Sequence, residues 1–496
     1  MRPLTGDVFR AALGTGFSRL FGLGRDIAIA HVFGATGVYD AFLAAFFVPN
    51  LLRGLLGEGG LAAAFLPVYG RAQAQGRARP VAAHTMSALL VLLPVVCALG
   101  AWTARWYIPL IAAGFPEEQL QLAISLGQWI FPVLGLVSLA ALAAGILNAN
   151  GRFFVPALAP ALPNLAMIGA ALLLAPLVRP PIAALVFGLL AGAAGMLLIQ
   201  VPFLRGHVGP LPKPWPPRSE LKEMGKRLLP VLGGVAMAEV NILVDTRLAS
   251  YLAEGAISTL QYAMRLFQFP IGIVAVSVAA AALPRFARTS AGGLQGPFRD
   301  ALRQGLGLGT LLILPAMAGL LALGSPIITL LFEHGAFTAQ DTARTYAALS
   351  AYLSGLWAYS LVYLFSRAFY GLGSPAVPVL TGTLAVAVNI GLDLLWVGPW
   401  GTFGLALATG LAGWVNALAL GYLLWRRGRG WIPLRPVLGA AAAATLTGLS
   451  VAGADRWVLS PYGAWVQVFA GVALGAAVYA LATRAIGLHS WLKAAR

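Results

Sequence analysis

The sequence predicts an all-α integral membrane protein with about fourteen transmembrane helices, and three observations carry that prediction. Hydrophobic residues make up 59% of the 496 positions and charged residues only 10%, too few to coat a soluble chain of this length. The apolar residues come in blocks of about 20, the length a helix needs to cross a hydrocarbon core of about 30 Å. The blocks are continuous Leu/Ala/Val/Gly runs rather than alternating ones. That excludes a β-barrel and leaves helices as the way to satisfy backbone groups in lipid.

Taken in chain order, the first span (8–33) contains Arg19, Arg25 and Asp26 and reads as a mature segment, not a cleavable signal. The second (38–70) runs from Asp40 past Pro49 and Arg53. The third (84–105) lies between Arg79 and Arg105 and contains the one cysteine, Cys97, which reads as core packing. A single cysteine provides neither a disulfide frame nor a metal cluster. The fourth, fifth and sixth spans (119–147, 153–176, 181–204) are separated by Arg152 and Arg179 and closed by Arg205. Residues 205–227 carry Pro210, Pro212, Pro214, Pro216 and Pro217 and then a basic-acidic run, which predicts a cytoplasmic linker and surface helix. Spans seven to twelve follow at 226–252, 258–284, 301–324, 342–370, 375–397 and 402–425, and the last two at 436–453 and 463–485. Several exceed the bilayer thickness and should tilt, bend at Gly or Pro, or protrude.

Charge fixes the orientation. On this map 23 of the 33 basic residues fall on one set of faces, and only Arg105, Arg179, Arg344 and Arg456 on the other. By the positive-inside rule both termini are cytoplasmic. The same asymmetry accounts for most of the net charge of +17 without any nucleic acid.

The chain also repeats. Gly34-Ala35 and Pro49 match Gly255-Ala256 and Pro270 at an offset of 221, and GRFFVPAL (151–158) matches GSPAVPVL (373–380) at 222. Six spans separate the copies, so both cross the membrane in the same direction, the layout of rocking-lobe transporters with a midplane site. This predicts an N-lobe (1–204), the linker (205–227), a C-lobe (228–425) and two added helices (426–496).

Five arginines, Arg19, Arg25, Arg53, Arg247 and Arg265, fall within spans. An arginine facing lipid costs about 2.5–3.5 kcal/mol on insertion scales, so these should face water, acids or an anionic ligand. Structural ion pairs with the acids in or near the spans, Asp26, Asp40, Glu58, Glu239, Asp245 and Asp393, are the plain alternative. For the set, a cavity is the better reading, because Arg19, Arg25, Arg53 and Arg265 come from three spans in corresponding parts of both lobes. Such a cavity suits phosphate, since arginine offers a planar fork of donors and stays charged. Arg19 and Arg25 are six apart, about 120° on an ideal helix, and Gly22 and Gly24 between them offer a bend. Ser258 and Arg265, seven apart, share a face. Arg247 is expected to pair with a nearby acid.

A second cluster has hard oxygen ligands. Asn389 and Asp393 are i,i+4 in the eleventh span, Thr409 lies in the twelfth and Asp245 in the seventh. They suit Na⁺ or a proton relay, or equally an Asn–Asp pair that holds helices together.

The segment FSRLFGLGRDIAIAHVFGATGVYDAFLAAFFVPNLLRGLLGEGGLAAAFLP (17–67) resembles the signature of the MurJ (MviN) lipid II flippases, of the multidrug/oligosaccharidyl-lipid/polysaccharide exporter superfamily. AGILNANGRFFVPALAPALPNLAMIG, YAMRLFQFPIGI and the fourteen-span layout extend the resemblance over nearly the whole chain. The resemblance implies a non-enzymatic flippase in the bacterial cytoplasmic (inner) membrane. It would carry the undecaprenyl-pyrophosphate-linked peptidoglycan precursor, lipid II, from the cytoplasmic to the periplasmic leaflet. It implies substrate-binding roles for Arg19, Arg25, Asp40, Arg53, Ser258 and Arg265. It implies a sodium site at Asp245, Asn389, Asp393 and Thr409 with the Leu405 carbonyl, and no other cofactor. Helices 13 and 14 would form a groove for the lipid tail, reached through a gap between helices 1 and 8. The partners are then lipid II and membrane lipids, with no nucleic acid and a monomer as the default. The chain departs from the family at Phe47, Gly54, Met264 and Gln268, where relatives often carry charge, so the rim of the cavity is less charged.

Rivals fare worse. A drug/cation antiporter of the same superfamily should have an acid-dominated cavity, while another lipid-linked oligosaccharide flippase would differ only in headgroup. A glycosyltransferase would need a catalytic acid on a substantial outer loop. These loops are short, and Glu117, Glu118, Glu333 and Asp341 stand in no motif. A membrane scaffold would not justify buried arginines.

Overall fold

The computed structural model describes residues 20–56, 60–212, 219–289 and 293–488, which are helical almost throughout. Its contacts divide the chain into two compact units, Met1–Gly255 and Ala256–Arg496.

The first unit contains α1 (20–33), α2 (Gly37–Leu56), α3 (Gly60–Ala74), α4 (Ala78–Ile111), α5 (Glu117–Ile130) and α6 (Pro132–Ala149). The short α7 (Phe154–Leu158), α8 (Ala161–Gly169), α9 (Ala183–Leu198) and α10 (Ser219–Ala249) complete it. α5 and α6 together form one apolar stretch with an 18-residue window that is 78% buried, more than in the other candidate spans of the unit. α9 lies against α8 because Gly188 and Gly192, four apart, expose its backbone. A Cβ on Gly192 would stand 2.4 Å from the Cα of Pro163, and one on Gly188 would stand 2.5 Å from the Ala170 Cβ. Small residues one turn apart replace the hydrophobic drive that lipid does not supply between helices.

The linker differs from expectation. α10 begins at Ser219 and runs unbroken to Ala249, so the predicted surface helix and seventh span are one continuous helix. Arg71 Nη2 grips both carboxylate oxygens of Glu223 at 2.5 Å, and Ser87 Oγ donates to the Pro212 carbonyl at 2.5 Å. Composition changes at the Pro-rich stretch, but α10 packs on α2, α3 and α4, so the contact boundary comes later, at Gly255.

The second unit contains α11 (Ala256–Pro270), α12 (Val276–Thr289), α13 (Gly296–Phe332), α14 (Ala339–Leu353), α15 (Leu356–Gly371), α16 (Ala376–Arg427), α17 (Leu434–Ala454) and α18 (Ala464–Ala485). A π turn at Ile271–Ala275 follows Pro270, where the missing N–H disrupts the α ladder. A core of Phe286, Phe298, Phe365, Phe369 and Trp431 joins α12, α13, α15 and the segment before α17.

Among the described residues nine helices are long and apolar enough to span a membrane, or ten if α14 and α15, bent by 44°, form one broken span. α16 is itself two spans. Its 52 residues include Gly401 with φ 53°, ψ −131°. A Cβ on Gly404 would lie 2.6 Å from the Trp396 carbonyl oxygen, although eight residues of straight helix span about 12 Å. The chain therefore folds back at Gly401, between the predicted eleventh and twelfth spans. Helix α1, the α2–α3 pair and α10 fall outside the nine, and they are the segments that carry Arg25, Arg53 and Glu239. The helices are consistent with the fourteen crossings expected.

The repeat has a backbone counterpart. Gly34 and Gly255 have φ of 61° and 84°, and Gly151 and Gly373 have φ of 74° and 67°. All four landmarks thus adopt the left-handed conformation that favours glycine, each just before a helix begins. The outer surface is apolar, with Trp457, Leu177 and Leu173 about three-quarters or more exposed. In water such a surface would aggregate; facing acyl chains it costs nothing.

Candidate functional site

In the first unit the charged side chains are held in place. Arg19 lies outside the described residues. Arg25 bonds Asp26 Oδ1 through Nε (3.0 Å) and Nη2 (2.7 Å), and Asn164 Oδ1 of α8 through Nη1 (3.1 Å). Its guanidinium is fixed on all three nitrogens, yet its side chain keeps 20% exposure. α1 shows no break between 20 and 33, and Gly22 and Gly24 lie against Asn164 and Ile168 of α8. A Cβ at either glycine would make only ordinary van der Waals contact, at 3.9 and 3.6 Å. Asn164 was not anticipated, although an amide within an apolar helix was the signal to follow.

Arg53 bonds Asn50 Oδ1, one turn earlier on α2, through Nε (3.1 Å) and Nη2 (2.7 Å). Its charge also acts on Glu239 of α10. A Cβ on the adjacent Gly54 would meet nothing within 4 Å, so the space beside Arg53 is open.

Asp40 belongs to a different part of the unit. It is 2% exposed, and its Oδ2 accepts the N–H of Gly255 at 2.9 Å. A Cβ on Gly255 would stand 2.1 Å from the Ala35 carbonyl oxygen, so the turn before α11 presses directly on the turn before α2. Nearby, Gln119 donates to the Gly37 carbonyl (2.8 Å) and the Gly114 N–H to Ser250 Oγ (3.1 Å). Arg247 donates to the Leu110 carbonyl at the end of α4, where an acid was the expected partner. These bonds tie together the loops on the face opposite the basic one.

In the second unit Ser258 is fully buried at the start of α11, whereas Arg265 on the same stripe is exposed. The oxygen cluster is better defined. Asn389, Asp393, Leu405 and Thr409 are all buried, Asn389 Nδ2 donates to Asp393 Oδ2, and Thr409 Oγ1 donates to the Leu405 carbonyl at 3.1 Å. The chain folds back at Gly401, with the Trp396 carbonyl against Gly404, between the segment that carries Asn389 and Asp393 and the one that carries Leu405 and Thr409. Carboxylate, amide, hydroxyl and carbonyl oxygens are hard donors of the kind that hold an alkali cation. Asp245 stands in α10 and accepts from Asn241 at 3.4 Å within the first unit.

The outer-loop acids have structural work. Asp341 and Thr338 form a reciprocal capping box at the start of α14, with Thr338 N–H to Asp341 Oδ2 at 2.9 Å and Asp341 N–H to Thr338 Oγ1 at 3.3 Å. Glu333 accepts from Thr329 (2.8 Å) and Thr342 (2.6 Å), and Glu117 from Gln121 (2.7 Å).

An all-helical chain of two units with repeated turns and positioned charges inside its spans is a multi-span membrane transporter. Its fold is that of a MOP-superfamily multidrug transporter of the MATE family in an inward-facing conformation, with a TM-score of 0.67 at 14% identity over 85% of this chain and 98% of that one. The comparison narrows further. The sequence model of the lipid II flippase MurJ family matches residues 29–472, and the chain belongs to that family. A probable lipid II flippase MurJ of Vibrio cholerae is 31% identical over 465 residues, 91% of this chain and 88% of that protein. The lipid II flippase MurJ of Burkholderia cenocepacia is 31% identical over 462 residues, 89% of each. A solved lipid II flippase MurJ in an inward-closed conformation superposes with a TM-score of 0.82 at 26% identity, covering 95% of this chain and 97% of that one.

Proposed function

We propose that this protein flips lipid II across the bacterial cytoplasmic membrane by alternating access, as a monomer with both termini cytoplasmic and without catalysing a reaction. The observation that carries the proposal is the extent of the family match, 29–472, which takes in the helices bearing Asp40, Arg53, Ser258 and Arg265. The arginines supply the chemistry. Held by Asp26, Asn164 and Asn50, Arg25 and Arg53 are preorganised donors that lose little side-chain entropy when a pyrophosphate arrives. Arg19 and Arg265 would add charge, and Asp40 and Ser258 would position the headgroup. The polyprenyl tail stays in lipid along the apolar outer faces of α17 and α18, where Leu446, Leu449, Phe469 and Val472 are exposed.

Asn389, Asp393, Thr409 and the Leu405 carbonyl, joined by Asp245, would hold a sodium ion that biases the return of the empty carrier. The membrane potential is a second drive: moving one charge through 100 mV is worth about 2.3 kcal/mol, enough to shift a two-state equilibrium about fiftyfold.

Complementation of a bacterial strain depleted of its own lipid II flippase tests the reading. The wild-type chain should restore growth, and Arg53→Ala and Arg265→Ala should fail at equal membrane abundance. Full rescue by both variants would remove the headgroup role of the arginines, and failure of the wild-type chain would remove the function.

A further inference from the structure

In the orientation proposed above, basic residues gather at the cytoplasmic ends of the helices, and one group of them in the second unit surrounds a cleft. Between the end of α12 and the start of α13 lies a cleft of about 400 Å³ lined by Arg285, Arg288, Thr289, Pro297, Asp300 and Gln304. Arg285 and Arg288 are three apart and so share a face of α12. Arg285 gives one hydrogen bond to Gln304 Oε1 (2.9 Å) and Arg288 one to the Pro284 carbonyl (3.3 Å). Each guanidinium has five N–H donors, both side chains line the cleft, and both residues are exposed, so donors remain for a ligand there. The N-terminus of the 37-residue α13 also opens here and adds partial positive charge. The floor is rigid, since Phe286 and Phe298 are fully buried beneath it with rings 4.8 Å apart.

Depth selects the ligand. The apolar part of α12 ends just before Arg285, and that of α13 begins just after Gln304. The cleft therefore lies within about one helical turn of the hydrocarbon edge, at headgroup level. We infer that it binds the phosphate of an anionic phospholipid from the cytoplasmic leaflet, a site separate from the one that would take the substrate headgroup. Basic pockets between membrane helices on this side suit such headgroups. Asp300 opposes the ligand from the rim, where it is 69% exposed and 4.0 Å from Arg299 Nε. It gives the test a variant of opposite sign.

The full chain is placed in phosphatidylcholine nanodiscs containing spin-labelled phosphatidylglycerol, and the motionally restricted lipid fraction is measured. Arg288→Gln should lower the relative association about fivefold, equivalent to about 1 kcal/mol per basic residue near the surface. Arg285→Gln/Arg288→Gln should lower it further, and Asp300→Asn should raise it. Labelled phosphatidylcholine should respond to none of them. Unchanged phosphatidylglycerol association in the double variant, with Asp300→Asn also silent, would overturn the site and leave the cleft to an acidic protein segment. Displacement of the lipid by inorganic phosphate at equal concentration would overturn the lipid assignment in favour of a free anion.

Discussion

The break between α14 and α15 is held against α16 by two glycines, and replacing one of them tests that packing directly. A Cβ on Gly355 would stand 2.5 Å from the Cα of Gly410 and 2.6 Å from its carbonyl oxygen. Carbon atoms pack at about 3.5–4.0 Å, so Gly355→Ala must push the two segments apart by about 1 Å. The obstructing atoms are backbone, and no rotamer change relieves them. Gly355 itself has φ −97°, which alanine adopts freely, so backbone strain does not enter. Overpacking of this kind costs about 1–3 kcal/mol. Gly319→Ala in α13 is the control, since its Cβ would meet nothing within 4 Å, and it should be neutral or stabilising by up to about 1 kcal/mol. The 13 tryptophans allow the unfolding midpoint of both variants to be read by fluorescence in detergent. The reasoning is refuted if Gly355→Ala matches the wild type, or if Gly319→Ala loses as much. Because Gly410 adjoins Thr409, a sodium-dependent gain in the wild-type midpoint should shrink in Gly355→Ala.

Three further outcomes follow from single contacts. Burial, and then the charges of Arg152 and Arg79, hold the His207 imidazole below its ordinary pKa, so the fold favours the neutral ring. Stability should be indifferent to His207 above about pH 6.5 and fall as the pH drops below it, and His207→Gln should flatten that acid limb in unfolding midpoints. The sole cysteine, Cys97, is buried in α4; a polar maleimide should leave it unmodified in the folded protein and label it on heating, as mass spectrometry would show. The Arg71–Glu223 pair has an arginine side chain 58% exposed, so Glu223→Gln should cost no more than about 1 kcal/mol, and less at high salt.

The sequence by itself determined the solvent and the helical, repeated character of this protein, and set the expectation for its direction. Apolar runs of membrane length report a local transfer free energy, and a bias of basic residues between loops reports topology. Neither depends on which helix packs against which. The repeated landmarks were legible for a similar reason: Gly34, Gly255, Gly151 and Gly373 hold left-handed backbone that other residues rarely adopt. The tertiary structure decided the partners. Asn164 meets Arg25 from 139 positions away, and Arg247 reaches a carbonyl where an acid was expected. The Trp396 carbonyl meets Gly404 only because the chain folds back at Gly401, between the segments that carry Asp393 and Thr409. Side-chain pairing depends on the close approach of distant backbones, and that is set by the small residues at helix crossings, whose neighbours no local pattern names.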